Sequence, residues 1–282
     1  MHIVMGVTGH VGASVANALR ALGQPVLGLS HRSAPGGSGR AHADVRSVES
    51  LRSAFRLGQR AFLLNPPGDV RLDSDRIERD SVRNILEALD GSGLEKVVAA
   101  STGGAQPGDH LGDLNVLWEL EQGLASQAVP AAINRGAYYY SNWDDQIASA
   151  RETGQLLSVF PADLPIPMVA PHDLGIAAAQ RLVSGLDDVG IVSVEGPARL
   201  TSAEVAQCFE EVLGRRVRLE VTPSQRLEAT FESIGFSAAA ARSYARMTRT
   251  MIEQGFDAPD DPWRGSTTFD AYLRAQAAMA GR

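Results

Sequence analysis

Gly6, Gly9 and Gly12 stand three residues apart in the segment GVTGHVG, directly after the short apolar run HIVM. A diphosphate needs backbone N–H groups aimed at it and the positive end of a helix close by. Side chains obstruct such an approach, so a strand-to-helix turn that binds one favours glycine. Gly6 suits the tight exit from the strand, Gly9 the close approach of phosphate, and Gly12 the packing of helix against sheet. Thr8, His10 and Val11 fill the same turn and join the glycines as candidate cofactor residues. A plain tight turn is the competing reading, and it needs fewer glycines.

The next apolar run, PVLGLS, ends in Ser30, followed by His31 and Arg32. NAD-preferring sites carry a carboxylate about 20 residues beyond the glycines, where it accepts from the ribose 2′-hydroxyl. No carboxylate stands here. An arginine with a histidine suits a 2′-phosphate instead, with the Ser30 hydroxyl as a further donor. The expected cofactor is therefore NADP(H) in preference to NAD(H). Asp44 is expected beside the adenine or, equally, as the N-cap of the following helix. Asn65 and Pro66, after RAFLL, and Ser101 and Thr102, after KVVAA, complete the candidate cofactor set.

Three residues are candidates for catalysis. Ser101 offers a hydroxyl at a strand exit, His110 is the titratable donor of the loop that follows, and Tyr138 opens the aromatic segment YYYSNW. Aromatic rings with polar tips make a wall suited to a planar substrate or a nicotinamide face. Tyr138 and Tyr140 share a face if the segment is extended, and with Asn142 they are the expected substrate contacts. Other readings stay open: His110 as an exposed loop residue, Ser101 and Thr102 as a turn, at least one tyrosine as core.

The elements that must position these residues alternate. Short β-branched runs are followed by helical stripes such as Val11, Val15, Leu19 and Leu22, or Val82, Ile85, Leu86 and Leu89. Gly23 ends the first helix, and Leu114, Leu117, Trp118 and Leu124 stripe a later one. This alternation predicts an α/β fold: a doubly wound parallel Rossmann sheet with a smaller C-terminal α/β substrate lobe. Ligands of such sheets sit at the carboxyl ends of strands, where the main candidate segments fall. The expected division is a dinucleotide-binding domain over 1–136, with 171–194 returning to it, and a smaller lobe from 137–170 and 195–282. Thr201 and Glu204 form a capping box, His172 and Asp173 read as a helix cap, and Cys208 reads as core.

Composition narrows the function. A net charge of −7 over 282 residues argues against nucleic acid, and no apolar run is long enough to cross a bilayer. One cysteine and no signal-peptide pattern point to the cytoplasm. The chain lacks a Gly-x-Ser-x-Gly elbow, and its six histidines form no metal-ligand pattern, so no metal is expected.

Taken in order, GVTGHVG, FLLNPPG, NRGAYYYSNW, HDLGIAAAQRLV and VEGPARLTSAEVAQCFEEVLGRRV resemble the NmrA-like family of atypical short-chain dehydrogenase/reductases. The resemblance implies a Rossmann lobe, NADP(H) between two lobes, and either quinone and carbonyl reduction or nucleotide-responsive regulation. The chain departs from ordinary short-chain reductases, whose Tyr-x-x-x-Lys pair uses lysine to lower the tyrosine pKa. Its one lysine, Lys96, opens a strand at the end remote from a nicotinamide, and no tyrosine precedes it. If Glu121 matches the family's glutamate, Leu117 stands where many NmrA-like reductases keep lysine. Two functions follow: NADPH-dependent hydride transfer to a small quinone or activated carbonyl, or non-catalytic NADP(H) sensing. An epimerase or dehydratase reading is weaker, for want of a strong base. A monomer or homodimer is expected.

Overall fold

The computed structural model describes residues 1–31, 39–256 and 259–280. Arg32, the arginine expected at a 2′-phosphate, lies outside the described residues. Strands and helices alternate through the first half: β1 (His2–Val4), α1 (His10–Ala21), β2 (Val26–Ser30), β3 (Arg40–His42), α2 (Val48–Phe55), β4 (Arg60–Leu63), α3 (Ser74–Leu89), β5 (Lys96–Thr102), α4 (Asp113–Ala125) and β6 (Ala131–Gly136). Then follow β7 (Tyr138–Tyr139), a 3-10 turn (Tyr140–Trp143), α5 (Gln146–Thr153), β8 (Gln155–Ser158), β9 (Ile166–Val169), α6 (Pro171–Val183) and β10 (Gly190–Glu195). The remainder comprises β11 (Arg199–Leu200), α7 (Ser202–Leu213), β12 (Arg218–Val221), α8 (Leu227–Ser233), α9 (Ala238–Gln254), β13 (Trp263–Arg264) and α10 (Phe269–Ala280).

Eight strands pair in the order β13-β10-β6-β5-β4-β1-β2-β3, every neighbouring pair parallel. Strand order reverses at β1, which lies between β2 and β4; Ile3 faces Leu27 on one side and Ala61 on the other. The crevice above such a reversal is where open α/β sheets bind ligands. Helices cover both faces, so the strands read as continuous apolar runs. Ile3, Leu51, Phe55, Leu63, Ile85 and Leu120 pack under α2, α3 and α4. Val4, Val15, Leu19, Phe62, Val98 and Leu182 pack under α1 and α6. A third cluster, with Tyr140, Trp143, Phe160, Phe209 and Phe269, lies among the later elements.

Several local expectations are met. Gly23, just past α1, is left-handed (φ 71°), and Thr201 and Glu204 form both halves of a capping box on α7. Lys96 is fully buried at the start of β5, its Nζ donating to Ser184 Oγ (2.8 Å) and the Gly185 carbonyl (2.7 Å). It therefore ties the lower end of the sheet together, away from the strand exits.

Others need correction. His172 and Asp173 do not cap α6: Ala170 is the N-cap and Pro171 the first helical residue, a position that suits the ring's fixed φ and missing N–H. Asp173 is buried and accepts from Thr267 N (3.0 Å) and Thr267 Oγ1 (2.9 Å), pinning the C-terminal segment. That segment also contributes β13 to the edge of the main sheet. The N-cap of α2 is Ser47, not Asp44; Asp44 instead holds Arg46 through two side-chain bonds (3.0 and 2.9 Å). That guanidinium draws the Asp44 carboxyl below the usual carboxylate range. Among the described residues no helix is long and apolar enough to cross a membrane.

Candidate active site

The three glycines have separate physical reasons. Gly6 adopts φ 65°, a left-handed conformation that L side chains rarely reach. A Cβ on Gly12 would lie 2.2 Å from the Gly6 carbonyl oxygen and 2.7 Å from that of Met5, so helix and turn touch there only because the side chain is missing. Gly9 differs: a Cβ there would meet nothing closer than the Gly6 carbonyl oxygen at 3.5 Å, in an extended conformation (φ −97°, ψ 172°) open to any residue. Internal packing does not demand glycine at position 9. Gly9 lines a cavity, and the missing side chain leaves room there for a ligand to approach.

That cavity, of about 410 Å³, runs from the start of α1 across the exits of β4, β5 and β6 to α4 and α9. Gly9, His10 and Val11 form one end, and no side chain caps α1 or places a negative charge in its first turn. A helix end of this kind offers amide hydrogens and a positive pole to an anion. Asn65, on the same wall, has a buried Oδ1 with no hydrogen-bond partner among the described residues. A buried, orphaned acceptor beside a cavity fits a ligand that donates hydrogen bonds, as a nicotinamide dinucleotide does through its hydroxyl and amide groups. Together these features fit the cofactor the sequence pattern implies.

Farther along, Ser101 and Thr102 line the cavity at the exit of β5. Ser101 is buried, and its Oγ donates to Glu121 Oε1 at 2.5 Å. Glu121 is held in turn by Arg135, Nε to Oε1 at 2.9 Å and Nη2 to Oε2 at 2.7 Å. With its proton turned toward Glu121, Ser101 presents an acceptor to the cavity and is badly placed as an acid. Thr102 donates to the Gly103 carbonyl (3.3 Å).

The aromatic wall is Tyr138 and Tyr139, with Ser141 and Asn142 beside them. Tyr138 packs edge-on against Phe160 (centroids 5.4 Å) and Trp143 (6.2 Å), geometry that fixes the ring plane. Burial pushes the hydroxyls of Tyr138 and Tyr139 up to about 12, so neither gives up a proton readily near neutrality. Tyr140 does not line the cavity. The chain extends for Tyr138 and Tyr139 only, then winds into the 3-10 turn and sends Tyr140 into the core against Phe269 (5.1 Å) and Tyr272 (5.6 Å). The alternation that paired Tyr138 with Tyr140 fails at that turn.

His110 is also misplaced for catalysis. It lies outside the cavity lining, its side chain 51% exposed, 3.6 Å from Asp109 and in a left-handed conformation (φ 53°). Pro66 is absent from the lining and Pro67 takes its place. Ser30 is buried at the end of β2, with His31 exposed after it, at the far side of the crevice.

Leu117 presents an apolar side chain to the cavity, at the position where a lysine was looked for. Three contributors escaped the sequence reading: Met247 and Met251 close the cavity from α9, and Asp113 brings a carboxyl from the first turn of α4. Tyr244, Met247 and Met251 follow one another at helical spacing, a signal that a face of α9 is occupied. Asp113 is accessible to water from the cavity yet surrounded by protein. Burial and the neighbouring Asp75 raise its pKa above the ordinary carboxylate value.

No family model matches the chain. An NAD(P)H azoreductase from Xenophilus azovorans is 22% identical over 292 residues, covering 100% of this chain and 99% of that protein. The fold is similar to that of an NADPH-dependent quinone oxidoreductase from Escherichia coli (TM-score 0.77, 19% identity, 98% of this chain and 99% of that one). It is similar also to the Citrobacter sp. triphenylmethane reductase complexed with NADP(H) (TM-score 0.78, 19% identity, 98% and 99%). The chain thus has a Rossmann fold similar to that of these reductases, as the resemblance of its motifs implied.

Proposed function

We propose that the chain is an NADPH-dependent oxidoreductase passing hydride to a small, planar, conjugated acceptor, a quinone or an activated carbonyl. The observation that carries this reading is one continuous cavity with a helix amino terminus at one end and an apolar, aromatic enclosure at the other. Amides at the start of α1 meet the pyrophosphate, Ser30 and His31 lie toward the adenosine ribose, and Ser101 and Thr102 receive the carboxamide. A dihydronicotinamide bound there supplies the hydride, so the protein has chiefly to orient and to exclude water. Tyr138 and Tyr139 give the acceptor a flat face, while Leu114, Leu117, Met247 and Met251 provide apolar contact that adapts to rings of differing outline. The related proteins act in name on quinones, azo compounds and triphenylmethanes, each an extended π-system. Their dependence on NADPH or NAD(P)H supports a nicotinamide cofactor here, with the phosphorylated form preferred.

The test is a panel of quinones, enones and azo dyes, followed by loss of the NADPH absorbance band. Turnover of at least one planar acceptor is expected. Tight cofactor binding with silence across the panel would favour the alternative, a sensor of NADP(H), for which the loss of the Tyr-x-x-x-Lys pair is the motive. A sensor would bind oxidised and reduced cofactor with different affinities and exchange partners accordingly.

A further inference from the structure

Reducing a neutral quinone, carbonyl or azo group takes a proton as well as a hydride, and the usual tyrosine–lysine source is missing. We propose that Asp113, at the first turn of α4, is the acid that delivers this proton. This inference rests on the oxidoreductase reading of the cavity and assigns its missing chemical step.

Geometry selects Asp113 by elimination and by position. The Ser101 O–H points to Glu121, the Thr102 O–H to a carbonyl, and His110 stands outside. His10 lies at the amino terminus of α1, where a phosphate is expected. Asp113 shares the lining with Leu114 and Leu117 of its own helix, and with Tyr138, Tyr139, Met247 and Met251 opposite. It also stands four residues before Leu117, the spacing at which a tyrosine precedes the lysine in the ordinary pair.

The surroundings favour its protonated form. A helix amino terminus favours a carboxylate by about 0.3–1 kcal/mol. Burial and the charge of Asp75 oppose that and prevail, so the Asp113 pKa rises. Asp75 and Glu78 face it from α3. Asp75 is bonded to Arg79 (2.9 Å), which also reaches Glu119 of α4. Glu78 accepts from Gly68 N (2.7 Å), and burial with the charges of Asp113 and Asp75 lifts it to about 8. Tyr139 contributes a neutral phenol from β7 and Tyr244 another from α9, each raised in part by Asp113 itself. From α9, Ser243 accepts from Gly112 N (3.0 Å) and donates to Asp75 Oδ1 (3.3 Å), locking the start of α4 against α3. Arg79 is thus committed to Asp75 and Glu119, and the Asp113 pKa stays above the ordinary carboxylate value.

The step balances simply. The acceptor gains the hydride at one atom, its π bond breaks, and the electron pair moves to the conjugated oxygen or nitrogen. The Asp113 O–H bond breaks as that atom takes the proton, giving the hydroquinone, alcohol or hydrazo product. Water entering the cavity returns a proton to the carboxylate, and NADPH, the reductant, leaves oxidised.

Two measurements test this on the intact chain. The first needs no turnover: side-chain carboxyl NMR of aspartate-labelled protein, compared with Asp113→Asn. A resonance missing from the variant should titrate above the exposed aspartates; a resonance titrating with them would overturn the proposal. The second compares a neutral quinone with a cationic triarylmethyl acceptor, which accepts hydride and needs no proton. Asp113→Asn, and Asp113→Ser as a second variant, should lower kcat on the quinone by about 100-fold. On the cation kcat should change by no more than about twofold, with NADPH affinity retained. Equal loss on both acceptors, or loss on neither, would overturn it. A wild-type protein that reduces neither acceptor would instead sink the oxidoreductase reading.

Discussion

Replacing Gly9 with alanine separates ligand approach from packing within the glycine turn. The new methyl meets only the Gly6 carbonyl oxygen at 3.5 Å, and the backbone there is already extended. The fold should tolerate it: less chain freedom in the unfolded state favours alanine by about 0.4–1 kcal/mol, and a poorer N-cap costs a similar amount. Stability should therefore stay within about 1 kcal/mol of wild type. The methyl instead fills space a phosphate oxygen needs, pushing the anion off the α1 amides. Weakening one hydrogen bond to a charged group costs about 1.5–3 kcal/mol. That corresponds to about 10- to 150-fold in the Kd for NADPH. Gly12→Ala is the contrasting case, because its methyl would sit 2.2 Å from one backbone oxygen and 2.7 Å from another, and its cost falls on stability. The assay is titration of NADPH fluorescence beside urea unfolding for both variants. Unchanged NADPH affinity in Gly9→Ala would refute the reasoning, as would a loss of stability as large as that of Gly12→Ala.

Further outcomes follow from charge and burial. Glu78 has its pKa raised from 4.5 to about 8, so it is neutral in the fold and ionised in the unfolded chain between those values. Stability should be fullest below pH 4.5 and fall as pH rises toward 8, by at most about 5 kcal/mol from this group. Glu78→Gln should flatten that slope in urea unfolding curves taken across the window. Lys96→Ala should cost about 3 kcal/mol by opening a cavity and stranding the Gly185 carbonyl, while NADPH affinity stays within about twofold. Tyr140→Ala should cost about 3–5 kcal/mol of stability, whereas Tyr138→Ala should act mainly on the acceptor KM.

The Rossmann half was legible because buried parallel strands are written as uninterrupted apolar runs, with glycine or proline between them and striped helices. HIVM, PVLGLS, RAFLL and KVVAA each became a strand of the main sheet. β13 was not legible: two residues, Trp263 and Arg264, carry no periodicity, and their pairing with β10 is purely tertiary. Tyr140 was misjudged because period-two alternation was carried one residue past the point where the backbone winds into a turn. Asp113 looked like an ordinary acidic residue at a helix start, the commonest place for one. Its difference comes from α3 and α9 closing around it, which local sequence does not encode. Met247 and Met251 had the spacing of a buried face, but nothing in the chain said that a cavity lies under it.

Titration of the purified chain with NADPH, NADP⁺, NADH and NAD⁺ by calorimetry tests the central claim most directly. A single saturable site is predicted, tighter for the phosphorylated pair, with affinity lost in Gly9→Ala and kept in Lys96→Ala. No binding of any of the four dinucleotides to the folded protein would contradict it.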